Sequence, residues 1–117
     1  MTAVPHRGEV WLADVDKARP VVVLTRDPMG RLLNSVIVAP VTSTIRGVST
    51  EVPVGPADGV RQASVANLDN VQLLARDRLR RRIGRAQPAT MDALCTALSI
   101  AVNCDSEPRT ATRSTKP

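Results

Sequence analysis

Few side chains in this sequence can do acid–base, nucleophilic or metal chemistry. There is one histidine, His6, and there are two cysteines, Cys95 and Cys104, against sixteen Lys and Arg residues. A lone imidazole excludes a two-histidine acid–base pair and argues against a Ser-His-Asp triad. One His and two Cys fall short of a zinc constellation. No P-loop appears, nor an acidic cluster suited to two magnesium ions. Neither a metal nor another cofactor is expected. If both cysteines lie on one helix, they stand roughly 13 Å apart at 1.5 Å per residue, too far for a disulfide. Cys95 then reads as a small core residue.

What remains is cationic and hydroxyl chemistry. The formal charge is +5 and the pI about 10.6. Segment 76–85, RDRLRRRIGR, holds six Arg and one Asp, which equals the whole positive excess of the chain. Such a balance suits an anionic partner, either nucleic acid or an acidic protein. Residues 41–47, VTSTIRG, are rich in hydroxyls. On the residues alone, Arg19 reads as the ion-pair partner of Asp16 or Asp27, and Thr42 as a turn residue at a strand end. The composition alone equally suits a basic binding module without catalysis.

The elements that must hold these residues are mostly strands. GEVWLADV, 8–15, alternates apolar and polar residues, the period of a half-buried strand. RPVVVLTRD, 19–27, contains a continuous apolar run from Val21 to Leu24, fit for a strand buried on both faces. Pro20 suits its first position, where a missing N–H costs least. Pro28-Met29-Gly30 is turn chemistry. Further strands are expected at 35–39, 50–54, 63–66, 68–74 and 80–86, with one helical turn at 76–79. Pro53 places the 50–54 strand at an edge or ends it. The one strong helix covers 88–102, with Pro88 in its first turn and Met91, Leu94, Cys95, Leu98 and Val102 as an apolar stripe. Only Trp11 carries a large ring, so the core must come from Val, Leu, Ile and Ala. The pattern predicts one domain over 1–104, mainly β with one packed C-terminal amphipathic helix, its short strands forming a small curved barrel. Residues 105–117 have no large apolar residue and read as a disordered tail. No run is long enough for a membrane-spanning helix, and MTAVPHRGEV lacks the apolar stretch of a signal peptide. A cytoplasmic protein is expected.

Five blocks recur in a telling order: RGEVW at 7–11, RPVVVLTRD at 19–27, APVTSTIRG at 39–47, SVANLDNVQLL at 64–74 and RLRRRIGRA at 78–86. Together with the final helix they resemble the MazF/PemK family of bacterial toxin ribonucleases over about residues 7–102. The resemblance implies an SH3-like or CcdB-like barrel assembled as a homodimer. It implies sequence-specific cleavage of single-stranded RNA without metal, leaving 2′,3′-cyclic phosphate and 5′-OH ends and arresting growth. It also implies a cognate acidic antitoxin that folds on binding. The family's catalytic Arg precedes the Pro of the second strand, which falls on Arg19. Its catalytic Thr lies in Ala-x-x-Thr at the end of the third strand, which falls on Thr42. A planar guanidinium fork matches phosphate oxygens, and a hydroxyl adds one donor. Because an arginine pKa ordinarily exceeds about 12, transition-state stabilisation fits Arg19 better than proton transfer. Arg26, Ser43, Thr44, Arg46 and Asn70, with Arg78, Arg80, Arg81 and Arg82, are candidate RNA contacts; the arginines of 78–85 equally suit a solvated basic edge.

Three features depart from the family pattern. The loop from Asp16 to Ala18 is short where many relatives carry a long one. Asp69-Asn70-Val71-Gln72 stands where the family often has Glu-Gln-Ile-Arg. No aromatic beyond Trp11 is present to stack on bases. Two other readings of the same fold are a CcdB-type gyrase inhibitor and an RNA-binding protein without catalysis. The first relies on an apolar, aromatic end to its last helix, whereas here a polar tail follows.

Overall fold

The computed structural model describes residues 4–103; Cys104 and the expected tail at 105–117 lie outside the described residues. Its strands are β1 (Glu9–Asp14), β2 (Ala18–Val23), β3 (Ser35–Thr42), β4 (Glu51–Val54), β5 (Ser64–Asn67), β6 (Gln72–Ala75) and β7 (Leu79–Arg85). Two helices join them, a single turn α1 (Met29–Leu32) and the C-terminal α2 (Pro88–Ala101). Among the described residues no helix is long and apolar enough to cross a membrane.

All the strand pairings are antiparallel, in the order β4-β5-β3-β2-β1-β7, with β6 also on β3. β6 and β5 share one edge of β3: β6 pairs with Ser35–Val38 and β5 with Val41 and Thr42. A 3₁₀ turn at Arg76–Arg78 leads from β6 straight into β7, which pairs with β1. The path β7-β1-β2-β3-β6 therefore curls into a small barrel. Its seam is made by that turn rather than by a ladder, so the sheet is not closed by hydrogen bonds. The expected mainly-β domain with a packed C-terminal helix is present in this form.

The alternation of β2 explains why two cores exist. Val21 and Val23 point into the barrel, with Ala13, Val36, Val38, Leu74 and Leu79. Val22 and Leu24 point the other way, with Val10, Ala39 and Val41, and meet Val52, Val54 and Ala66 of the β4–β5 hairpin and Leu94 and Ala97 of α2. Successive side chains of a strand alternate faces, so a continuous valine run is what a strand serving two cores requires.

The outer layer is tied down at one spot. A Cβ built on Gly84 of β7 would lie 2.2 Å from the Asp58 carbonyl oxygen, and one on Gly59 2.5 Å from Gly84 Cα. Gly59 also has φ +91°, a conformation that glycine adopts without a steric penalty. Beside this contact the buried Asp58 carboxylate accepts hydrogen bonds from Gln87 N at 2.9 Å and Thr90 Oγ1 at 3.1 Å with Oδ1, and from Gly55 N at 3.2 Å with Oδ2. Residue 87 is the N-cap of α2 and has no capping side-chain bond of its own. A carboxylate from another element supplies the missing acceptor and favours the positive helix end.

Several expectations are corrected. Cys95 is exposed, not core; its Sγ lies 3.0 Å from the donating Arg7 Nη2. Val102 is 57% exposed, so it leaves the stripe, which instead centres on Leu94 and Ala97 with Met91, Leu98 and Ala101 beside them. The strand expected at 68–74 starts only at Gln72, because Leu68–Asn70 form a 3₁₀ turn capped by the Asn67 side chain, which accepts from Asp69 N. The turn expected at 28–30 leads into the short helix α1.

Glu9 is a buried carboxylate, 2% exposed, on the barrel side of β1. Burial pushes its pKa up. Hydrogen bonds from His6 N, Trp11 Nε1 and Arg82 Nη1, and the Arg82 charge, outweigh that and hold it below the usual carboxylate value. A depressed folded-state pKa contributes stability that is present above the unfolded pKa and is lost as pH falls through the folded one. Glu9→Gln is therefore expected to lower stability at pH 7 and to flatten the acid limb of a stability–pH profile below about pH 5; an acid limb as steep as the parent's would show that Glu9 does not cause it. The glycine contact gives a second prediction. Gly84→Ala should cost about 1–3 kcal/mol in a urea titration, as overpacking does. Gly55→Ala, where the nearest atom is 4.0 Å from the added Cβ, should cost well under that.

Candidate active site

β2 and β3 bring the two residues singled out for chemistry together. Their ladder pairs Val21 with Pro40 and Val22 with Ala39. Carried two residues further, the same register sets Arg19 opposite Thr42. Both follow the side-chain parity of the barrel-facing valines, so they sit where the barrel interior opens at one end.

Arg19 is held on one side only. Its Nη2 lies 2.9 Å from Asp16 Oδ1 and 3.2 Å from Oδ2, with the side chain 23% exposed. Its Nε is buried and has no hydrogen-bond partner among the described residues. The carboxyl of Asp16 is held below the usual range, first by its own backbone N–H, then by the Arg19 charge and the Lys17 N–H, against a desolvation contribution that raises it. The Asp16 pairing expected from the residues alone is thus present, and Asp27 is not the partner. Thr42 Oγ1 accepts from Thr44 N at 3.1 Å. That bond occupies a lone pair and leaves the hydroxyl hydrogen free to donate.

Two clefts meet at Arg19. The first, of about 490 Å³, is lined by Lys17, Arg19, Thr42, Ser43, Thr44 and Arg61 among others. Its charged lining is cationic, and hydroxyls supply most of its uncharged polar groups. The second, of about 520 Å³, shares Arg19 and adds Asp16, Asp69, Asn70 and Gln72. Strand ends and tight turns supply these side chains, so the backbone that presents them is fixed by the β2–β3 and β3–β5 ladders.

Not every candidate reaches this place. Arg19, Thr42, Ser43 and Thr44 share the first cleft, and Asn70 joins Arg19 in the second. Arg26 is exposed beyond the other end of β2 and lines neither. Arg46 is drawn to Glu51, with Nε 3.5 Å from Oε2, and its N–H donates to the same carboxylate. On β7 and the turn before it, Arg80 pairs with Asp14 at 3.2 Å and Arg82 with Glu9 at 3.0 Å, while Arg78 donates to the Asp14 carbonyl at 3.5 Å. Arg81 is exposed on the same strand. Lys17 and Arg61 line the cationic cleft and were not singled out by the sequence reading. Lys17 sits in the loop that leads into β2, which was the available signal; Arg61 lies in the loop before β5, where no local pattern marked it.

The comparisons with known proteins agree with this geometry. Residues 6–102 match the model of the PemK-like, MazF-like toxins of type II toxin–antitoxin systems. The chain is 45% identical over 108 residues to a probable endoribonuclease MazF5 of Mycobacterium tuberculosis, covering 89% of this chain and 98% of that protein. It is 42% identical over 96 residues to the endoribonuclease MazF3 of the same species, covering 82% and 93%. Among solved structures it is similar to the M. tuberculosis toxin MazF-mt6, with TM-score 0.80 and 41% identity over 83% of this chain and 98% of that one. It is similar too to an endoribonuclease in complex with its cognate antitoxin from a mycobacterial species, with TM-score 0.80 and 32% identity over 88% and 99%. A family model spanning nearly all the described residues, together with relatives at 42–45% identity over most of both chains, places this chain in the PemK-like, MazF-like family of type II toxin–antitoxin toxins.

Proposed function

We propose that this chain is the toxin of a toxin–antitoxin pair, a metal-independent endoribonuclease that cuts single-stranded RNA at Arg19 and Thr42. The observation that carries this reading is the cationic cleft in which a guanidinium with an unpartnered Nε stands opposite a hydroxyl free to donate.

The chemistry follows from the charge that must be met. The ribose 2′-oxygen attacks phosphorus and the 5′-oxygen leaves, giving a 2′,3′-cyclic phosphate and a 5′-OH; the proton lost from the 2′-OH is balanced by the one gained at the leaving oxygen. Negative charge grows on the phosphoryl oxygens between those steps. Donors fixed in place before the reaction stabilise that charge without reorganising. Arg19 supplies Nε–H and the rest of its fork, and Thr42 supplies O–H. Lys17 and Arg61 attract the flanking phosphates. Ser43 and Thr44 offer further donors beside Thr42. Arg78 and Arg80 flank Leu79, which pairs with Ala13, itself opposite Arg19. That is two strand spacings, roughly 10 Å, but Leu79 and Ala13 face the barrel, so Arg78 and Arg80 lie on the outer face, where Arg80 is paired with Asp14. Relatives crystallised with a cognate antitoxin support a matching partner here, an acidic segment drawn to the chain's positive charge, with the toxin as a homodimer.

The test uses purified protein and total RNA in excess EDTA, with new 5′ ends mapped by sequencing. Discrete cuts bearing 5′-OH are expected. Arg19→Ala and Thr42→Ala should each lower the rate by roughly 10²–10³-fold, the usual effect of removing one preorganised donor. Arg19→Lys should recover little of the loss, because a point charge does not reproduce the fork. Intact RNA with tight, salt-sensitive binding would move the assignment to a non-catalytic RNA-binding role.

A further inference from the structure

The second cleft differs in charge from the first although both open on Arg19. The first carries Lys17, Arg19 and Arg61, and no carboxylate is among its described lining. The second carries the carboxylates of Asp16 and Asp69 and the amides of Asn70 and Gln72, and its one cation, Arg19, is paired with Asp16. A phosphate is attracted to the first and repelled by the second. The second is nonetheless about as large, open to solvent, and rich in hydrogen-bonding groups that carry no net positive charge.

Its acidic wall is rigid. Thr50 Oγ1 donates to Asp69 Oδ2 at 2.6 Å, Asp69 N donates to Asn67 Oδ1 at 2.9 Å, and Leu68 N donates to the Thr50 carbonyl at 2.9 Å. Asn67 is 5% exposed. The turn at 68–70 is thus pinned to residue 50 from two sides. Thr50 engages one carboxylate oxygen of Asp69, and the other has no hydrogen-bond partner among the described residues.

Resting on the ribonuclease reading, we propose that this second cleft is a nucleobase subsite beside the scissile phosphate, which selects a base carrying an exocyclic amine and disfavours uracil. An ionised carboxylate only accepts hydrogen bonds. Cytosine and adenine present an amino group to it, and guanine presents N1–H and an amino group together. Uracil presents one N–H flanked by two carbonyl oxygens, which a carboxylate repels. The amides of Asn70 and Gln72 can donate to the acceptor that neighbours the amine on each of the favoured bases. Hydrogen bonding at base edges is how single-stranded RNA is read in sequence-specific sites, and a carboxylate accepting from a cytosine amine is one such pairing.

Short 2′-O-methyl oligomers of uridine, cytidine and adenosine test this without any cleavage, by fluorescence anisotropy on the full chain. The cytidine and adenosine oligomers should bind roughly tenfold more tightly than the uridine oligomer, the order of discrimination one good base contact supplies. Asp69→Asn keeps an oxygen for Thr50 and adds an amide N–H that donates to a uracil carbonyl. The ratio should therefore narrow to within about threefold, with an unchanged melting temperature as the check on folding. Gln72→Arg is an independent second variant: it puts a cation into the cleft, so all three oligomers should bind more tightly and with a salt dependence steeper by about one charge. Equal binding of the three oligomers by the parent chain would overturn the proposal. So would a ratio that a folded Asp69→Asn leaves untouched. Discrimination without RNA cleavage would sink the ribonuclease reading and leave the subsite standing. Cleavage without discrimination would do the reverse.

Discussion

The register between β2 and β3 is the constraint from which the site follows. Val21 pairs with Pro40 and Val22 with Ala39, and Val21, Val22 and Val23 have no exposed surface. Side chains alternate along a strand, so a slip of one residue would exchange the barrel-facing and outward-facing sets at once. In a strand with one wet face such a slip costs one hydrophobic face. Here both faces are buried in different cores, one shaped to Ala13, Val36, Val38 and Leu74 and the other to the β4–β5 hairpin and α2. The register is therefore specified twice. Arg19 and Thr42 lie just past the last ladder pair, where the strands are still held but the packed interior has ended. Their alignment is inherited from the valines and needs no contact of its own.

That logic also divides what could be read from the sequence. The valine run, Pro20 at the head of β2 and the alternation of β1 were visible because they are local. The role proposed for Arg19 and Thr42 rests on resemblance to a family: taken alone, an Arg two residues from a valine run and a Thr in a hydroxyl-rich loop have commoner explanations. The Asp16 pairing in the structure shows that the commoner explanation for Arg19 is present as well, and the two do not conflict. Asp58 escaped notice because its partners, Gln87 and Thr90, lie 29 and 32 residues on, beyond any local pattern. Cys95 was misassigned because Leu94 and Cys95 are neighbours on the helix surface. Spacing alone gave two adjacent stripes, and contact with β4 and the 68–70 turn selects the one through Leu94 and Ala97.

The chain's positive charge is not spread as a uniform field. Arg80, Arg82 and Arg46 are each met by a carboxylate on the same surface. The Arg80–Asp14 pair is exposed on both sides and contributes little to stability, typically below about 1 kcal/mol, whereas the Glu9 and Glu51 carboxylates are buried on their side of the pair. The consequence of all three is spatial: paired charges leave less attraction along β7 than a tally of arginines suggests. The cleft holding Lys17 and Arg61 shows no carboxylate in its described lining, which favours a phosphate there. The arginine-rich segment is thus partly neutralised by its own carboxylates, and the cleft adds Lys17 and Arg61 from outside it.

Arg19 itself carries an unresolved energetic conflict. A buried donor without a partner costs about 1–3 kcal/mol, and proteins seldom leave one. Asp16 relieves the charge from one side but leaves Nε unsatisfied. A valine at this position would remove the orphaned donor. Departures of this kind from local consistency concentrate at functional sites. The conflict is resolved if the missing acceptor is a phosphoryl oxygen. The unsatisfied Nε then becomes a donor already desolvated and oriented, and the interaction gained on binding RNA is larger for having been withheld in the free protein. The same reasoning gives Asp16 a share in the design. It holds Nη2 in place while the adjacent edge of the guanidinium waits, and an exposed carboxylate can yield its partner to a more negative group without the cost of being left buried and alone.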